Sequence, residues 1–260
     1  MTSLLYGITL DAMLLEEITM PAFVQGLSKT RTVIVPFGSV EEHGAHLPLG
    51  TDTAHVYELA KEACKVRPIF VAPPIWYGLC KSTGRHPGTV TISGATVKIL
   101  TIEIVTSLYQ HGLRNFVLIS GHAGKTHMAA LLDAGEEILG RLKEAKVAVL
   151  TVLDLVAMIA DGLVETKNDS HAGEVETSLM EFLRPWQIKG TSPEEYPIFP
   201  HSILVRNKRA FWPGGIWGNP AKASREKGET ILKKETELLV ELVDKLESFN
   251  EEEKDEKDLY

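Results

Sequence analysis

Glu41, Glu42, His43, His46 and Asp52 crowd into one run, Gly38-Ser-Val-Glu-Glu-His-Gly-Ala-His-Leu-Pro-Leu-Gly-Thr-Asp52. Carboxylates and imidazoles gathered this densely are the donors that a hard or borderline cation takes. Glu41 and His43 are one residue apart, so in extended backbone both side chains point to the same side. Asp52 reads either as a carboxylate shared between metals or as the N-cap of a following helix. Glu42 then faces away or supports a ligand from behind. His46 is open between orienting a ligand, touching substrate and packing under Pro48.

Two further places carry donors of the same kind. His122 lies in Gly121-His-Ala-Gly-Lys125, where glycines let the backbone approach a bound group closely. His171-Ala-Gly-Glu174 reads as the opening of a short helix, with the pair three residues apart and so on one face. One of the two acids, Glu174 ahead of Glu176, is expected to complete the metal shell, and Glu176 otherwise reads as a first-turn acid favoured by the helix dipole. An imidazole titrates near neutrality, so His171 suits proton donation to a leaving nitrogen. His55, His111, His127 and His201 have no comparable company. Gly78-Leu-Cys-Lys-Ser-Thr-Gly84 lacks the spacing of a phosphate-binding loop. Cys80, with only Lys81 beside it, is not expected to be a nucleophile.

These segments need a scaffold that brings them together. Thr32–Phe37, Ile69–Ala72, Asn115–Ser120 and Val147–Leu153 read as buried strands. Helical spacing covers Thr53–Val66, Ser93 to about Gln110, Thr126–Ala145 and Ala221–Phe249, with Ser93 as a cap and Gly112 as a stop. Strands alternating with helices imply a mostly parallel sheet covered on both faces. In such a sheet the donor loops emerge at one edge, the carboxyl ends of the strands, where ligands bind. The Pro185–Pro220 stretch is an irregular excursion whose aromatic part, Phe211–Pro220, suits an apolar clamp or a pocket wall.

Composition narrows the rest. The chain has 260 residues, 44% hydrophobic and 24% charged, and no linker long enough to split it, so residues 1–249 are expected to form a single α/β domain. The net charge of −8 argues against a nucleic-acid partner, and the 250–260 tail, with six acids and two lysines, reads as a solvated, frayed end. Two cysteines give no disulfide framework and fit a reducing cytoplasm. No signal peptide or membrane-spanning run is visible.

The chain resembles the creatininase (creatinine amidohydrolase) family. The matching runs are Gly38–Asp52, Pro87-Gly-Thr89, Ser120-Gly-His122, His171-Ala-Gly-Glu-Val-Glu-Thr-Ser178 and Gly215-Ile-Trp-Gly-Asn-Pro220, in family order over nearly the whole chain. The resemblance implies a three-layer α/β/α sandwich around a mostly parallel sheet, two divalent ions (zinc, manganese or iron), and a homo-oligomer, often a hexamer. It implies Glu41, His43, Asp52 and His122 as ligands, with Asp52 bridging. The implied reaction is metal-dependent hydrolysis of a non-peptide C–N bond, in a cyclic amide or formamide, by a metal-bridging hydroxide. Substrate contacts are assigned to His46, Ser82 and Lys125.

Departures from the family pattern argue against creatinine itself. Creatininase has a Tyr-Glu pair after the histidine that matches His122, and that glutamate binds metal; here the pair is Ala123-Gly124. Glu174 is the expected replacement. Lys167–Ser170 lacks the tryptophans that close the creatininase pocket, and Gly78–Thr83 loses a serine and a histidine in register. Other branches of the family deformylate a formamidopyrimidine nucleotide or trim a peptide, and Lys81, Arg85 and Lys125 suit a phosphate on the first of these. A catalytically silent subunit that keeps the metal as a staple is the rival from another class.

Overall fold

The structure is a computed structural model that describes residues 13–250. The acidic tail beyond them and the first residues, on which the signal-peptide reading rests, lie outside the described residues. Among the described residues, five parallel strands form one sheet: β1 (Met13–Leu14), β2 (Thr32–Phe37), β3 (Phe70–Val71), β4 (Asn115–Ser120) and β5 (Lys146–Thr151), in the order β1-β3-β2-β4-β5. β2 is buried along its whole length because it lies in the middle of the sheet with helices over both faces.

Among the described residues, seven α-helices connect and cover the strands: α1 (Met20–Gly26), α2 (Thr51–Val66), α3 (Gly94–Gln110), α4 (Lys125–Arg141), α5 (Val152–Ile159), α6 (Glu174–Leu183) and α7 (Arg225–Ser248). Ser93 caps α3, its hydroxyl accepting the Thr96 N–H at 3.0 Å, and Gly112, with φ +104°, turns the chain after it. α3 packs on α4, while α2, α5, α6 and α7 pack together. The core is a contiguous apolar cluster built from the strands and the inward stripes of these helices. A smaller cluster, Leu47, Ala54, Ala172, Met180 and Ile216, lies among the loops at the carboxyl ends of the strands.

Connectivity places the functional edge. β2 leads through α2 to β3 on one side, and β4 leads through α4 to β5 on the other. With right-handed crossovers, these two helices lie on opposite faces, so the loops after the neighbouring strands β2 and β4 diverge. That divergence is a topological switch point, and it opens a crevice at the carboxyl edge of the sheet.

Several boundaries differ from the sequence reading: β3 narrows to Phe70–Val71, and the last helix starts at Arg225 rather than Ala221. The fourth apolar run ends as a strand at Thr151, and Val152 already belongs to α5. Thr151 and Asp154 form a reciprocal capping box there, each side chain taking the other's backbone N–H. The helix read as Thr126–Ala145 stops at Arg141. β1 and α1 were not anticipated.

Candidate metal centre

Glu41 and His43 stand in the loop after β2, Asp52 in the first turn of α2, and His122 directly after β4. All four are buried and meet at the switch-point crevice. Gly121 makes the approach possible, since a Cβ there would lie 2.1 Å from the Asp52 carbonyl oxygen. Asp52 is the second residue of α2 rather than its N-cap, and no side chain caps that helix.

Two backbone carbonyls set the imidazoles. A carbonyl only accepts, so His43 Nδ1–H donates to the Glu41 carbonyl at 3.0 Å and His122 Nε2–H donates to the Leu79 carbonyl at 3.2 Å. The opposite nitrogens are thereby turned toward carboxylates. His43 Nε2 lies 3.0 Å from Asp52 Oδ1 and 3.6 Å from Glu176 Oε2. His122 Nδ1 lies 2.7 Å from Glu41 Oε2 and 3.4 Å from Asp52 Oδ2. Asp52 therefore faces one histidine with each oxygen. Hydroxyls steady the acids from behind: Ser39 Oγ donates to Asp52 Oδ2 at 2.6 Å, and Thr83 Oγ1 donates to Glu41 Oε1.

The electrostatics call for positive charge. Burial alone would lower the pKa of His43, yet Asp52 and Glu176 hold it well above the ordinary histidine value. His122 is raised in the same way by Glu41 and Asp52, against its own burial. Burial pushes the Asp52 carboxyl up, but His43 and His122 together hold it well below the usual range. Glu41 Oε2 is buried and accepts no well-aligned hydrogen bond. A carboxylate oxygen in that condition, 2.7 Å from His122 Nδ1, suits coordination of a cation.

Two donor groups result, sharing Asp52 between them. Glu41, Cys80 and His122 bring ligand atoms within 4.8 Å of one another, and so do His43, His171 and Glu176. Cys80 was not expected as a member, and Glu176 ranked second to Glu174. Glu176 Oε2 is steadied by the Ala172 N–H at 2.5 Å.

Glu174 is a correction. Its carboxylate accepts the backbone N–H groups of Glu165 and Thr166 at 3.1 and 2.7 Å and the Lys227 ammonium at 2.6 Å, which directs it away from the cluster. It ties α6 to α7 and to the loop before α6. The acid that reaches the site is Glu176. Gly124 has no room for a compensating side chain, because a Cβ would lie 2.5 Å from His122 Nε2.

His46 is a second correction. Its Nδ1 meets Ser192 Oγ at 3.0 Å and its Nε2 meets Thr177 Oγ1 at 2.9 Å, so both nitrogens are occupied inside the protein. Burial, with His43 nearby, lowers its pKa to about 4. It braces the loop and does not line the cavity.

His171 does line a cavity of about 600 Å³ that opens over Glu41, Asp52, His122 and Glu176. Its Nε2–H donates to the Glu42 carbonyl at 2.8 Å, and its ring lies 4.2 Å from that of His43, centroid to centroid. Burial and His43 push its pKa down, but the carboxylates of Glu42, Glu41 and Glu176 leave it raised. Ser82, Lys125, Lys81 and Lys208 also line the cavity. Trp212 and Trp217 form an aromatic wall, with Trp212 5.2 Å from the His171 ring. The Phe211–Pro220 stretch thus supplies an aromatic pocket wall, whereas Lys167–Ser170 contributes Ser170 and no aromatic side chain.

The model of the creatininase family, described as creatinine amidohydrolase, matches residues 16–243. This chain belongs to the creatininase family. Among creatininase-family relatives, it is 30% identical over 210 residues to the mycofactocin precursor peptide peptidase of Mycolicibacterium smegmatis, across 76% of this chain and 78% of that protein. It is 28% identical to the creatinine amidohydrolase of Pseudomonas putida, across 77% and 84%. The 3-dehydro-scyllo-inosose hydrolase of Thermotoga maritima is 27% identical, across 79% and 70%. A solved creatininase superposes with a TM-score of 0.82 at 23% identity, over 92% of this chain and 99% of its own, which establishes the creatininase fold.

Proposed function

We propose that this protein is a metal-dependent amidohydrolase that cleaves a non-peptide C–N bond, with two divalent ions held at the switch-point crevice. The Asp52 carboxylate supports this reading most directly, since its oxygens face His43 on one side and His122 on the other. Glu41, Asp52 and His122 would hold one ion; His43, Asp52 and Glu176 would hold the other. The relatives include proteins named as hydrolases and a peptidase, and solved creatininases described as zinc and manganese forms. Bound divalent ions supply a water-derived nucleophile at neutral pH and polarise the amide carbonyl.

The remaining steps fall to the chain's own residues. As oxygen adds to the carbonyl carbon and the C–N bond breaks, its electron pair goes to nitrogen. His171 donates the proton that nitrogen needs, through Nδ1, since Nε2 is held by the Glu42 carbonyl. Trp212 and Trp217 exclude water from one side of the substrate. The acid and amine products leave through the same cavity.

A second reading narrows the substrate to one with an anionic group, as in a formamidopyrimidine nucleotide. Lys81, Lys125 and Lys208 support it, because all three line the cavity. Metal-reconstituted protein is expected to hydrolyse a formyl or cyclic amide. His171→Gln should lower kcat with metal content intact, and Lys125→Ala should raise KM for a phosphorylated formamide more than for its neutral analogue. The assignment is wrong if His43→Ala keeps both full metal content and full turnover.

A further inference from the structure

Cys80 is fully buried, yet no step above uses it. It stands in the loop after β3, with its backbone N–H fixed to Thr91 Oγ1 at 2.9 Å. Its sulfur lies within 4.8 Å of ligand atoms of Glu41 and His122. Glu41 Oε2, equally buried in the same group, accepts no well-aligned hydrogen bond. The other cysteine is differently employed: Cys64 Sγ accepts the Met13 N–H at 3.2 Å and donates to the Ile69 carbonyl at 3.1 Å, inside the core. Two features therefore meet at one point: a buried carboxylate oxygen that receives no well-aligned hydrogen bond although His122 Nδ1 is 2.7 Å away, and a sulfur with no core task.

We propose that Cys80 is a ligand of the ion held by Glu41, Asp52 and His122. This rests on the metal reading above and adds a soft donor to a set otherwise made of oxygen and nitrogen. On binding, the S–H bond breaks, its proton leaves to solvent, and the sulfur lone pair forms the bond to the ion. Thiolate donors favour zinc, whereas carboxylates and water suit manganese. Cys80 thus sets the metal preference of one of the two positions, and the two positions differ in kind: one holds a thiolate, the other imidazole and carboxylate alone. At Gly124 a Cβ would collide with His122, so a donor for this region has to arrive from another loop. The Cys80 loop is already in place.

X-ray absorption at the zinc edge tests this on the full-length protein loaded with zinc. The expected result is a sulfur scatterer at about 2.3 Å, one per pair of zincs, that disappears in Cys80→Ser and persists in Cys64→Ser. Cobalt(II)-loaded protein should show a thiolate-to-cobalt charge-transfer band with the same dependence. Cys80→Ser should lower the preference for zinc over manganese by about tenfold or more. Two bound zincs with only nitrogen and oxygen neighbours in the unaltered protein overturn the role of Cys80 while leaving the metal reading standing. Protein that binds no zinc overturns both.

Discussion

Asp52 Oδ1 lies 3.0 Å from His43 Nε2, and that ring can turn no other nitrogen toward it, because Nδ1–H is committed to the Glu41 carbonyl. The pairing is thus set by backbone geometry as much as by charge. It makes Asp52 the side chain whose loss should cost most. Asp52→Ala is expected to reduce metal content from about two ions per chain to at most about one, measured by elemental analysis. Asp52→Asn keeps the shape but removes the charge and should behave nearly as badly. Full occupancy in either variant would mean that the ions are not shared through this carboxylate.

Behind α2, one helical turn beyond Asp52, His55 Nε2 meets Glu235 Oε2 of α7 at 2.8 Å, with both side chains buried. Burial would lower the His55 pKa, but Glu235 outweighs it and raises it above 6.5. Because the folded value is the higher one, the pair stabilises most fully below the unfolded pKa of about 6.5 and loses that contribution as pH climbs through the folded value. Removing one partner of a buried pair costs roughly 3–5 kcal/mol. Glu235→Ala should show a loss of that order in urea unfolding at pH 6, and the gap from the unaltered protein should narrow at pH 9. A gap that is unchanged or wider at pH 9 would refute the pairing as the cause.

Much of this architecture can be read from the chain. β2 and β4 are apolar runs bounded by turn residues, and both sequence ranges coincide with the strands. Glu41, His43, Asp52 and His122 were expected to converge, because parallel strands send their loops to one edge. α5 escaped notice since Val147–Ile159 is apolar almost throughout, and hydropathy alone does not mark where strand becomes helix. The Thr151–Asp154 capping box was the available signal. β1 is two residues long and is defined by its neighbour rather than by pattern, whereas β3, read as Ile69–Ala72, only narrows to Phe70–Val71. The choice of Glu174 over Glu176 assumed helical spacing from His171 onward. The helix begins only at Glu174, after Ala172 with φ +49° and Gly173 with a non-helical ψ of −144°, so residues 171 and 174 do not share a face. Cys80 and Thr83 reach Glu41 and His122 across the fold, a proximity that no local spacing encodes.

The start of α6 is held by Asp169, whose Oδ1 and Oδ2 accept the Glu174 and Val175 N–H groups at 2.8 and 2.9 Å. Burial raises its pKa to about 6, although those two bonds pull the other way. Its folded pKa is raised, so this group favours folding at low pH and that benefit fades as pH rises through about 6. Asp169→Ala removes the cap and should cost about 1 kcal/mol of stability near neutrality. Since Glu176 lies in the same turn, metal affinity should also fall, by roughly 10–100-fold. Asp169→Asn keeps an acceptor and sheds the buried charge, so its stability should depend less on pH between 4 and 7. A thermal-shift series across that range, run with and without zinc, separates the two effects. An Asp169→Ala protein with unchanged zinc affinity would show that α6 positions Glu176 without this cap.

Gly124 offers the sharpest test of the His122 geometry. The position precedes α4 with φ −60°, an ordinary backbone conformation, so any penalty for a side chain there comes from contact alone. A Cβ would stand 2.5 Å from His122 Nε2 and 3.1 Å from its Cε1, while that ring is pinned by the Leu79 carbonyl on one edge and by Glu41 on the other. The ring must rotate or the loop must shift, and either change unseats Nδ1. Gly124→Ala is therefore expected to leave the fold intact by circular dichroism yet weaken zinc binding by roughly 10–100-fold, the range seen when a ligand loses its supporting contacts. Gly124→Glu, which restores the residue type that creatininase carries at this point, should bind metal no better than the alanine variant. Tight zinc binding by Gly124→Glu would instead show that His122 moves freely enough to admit a carboxylate, and the Leu79 carbonyl would lose its assigned part in fixing the ring.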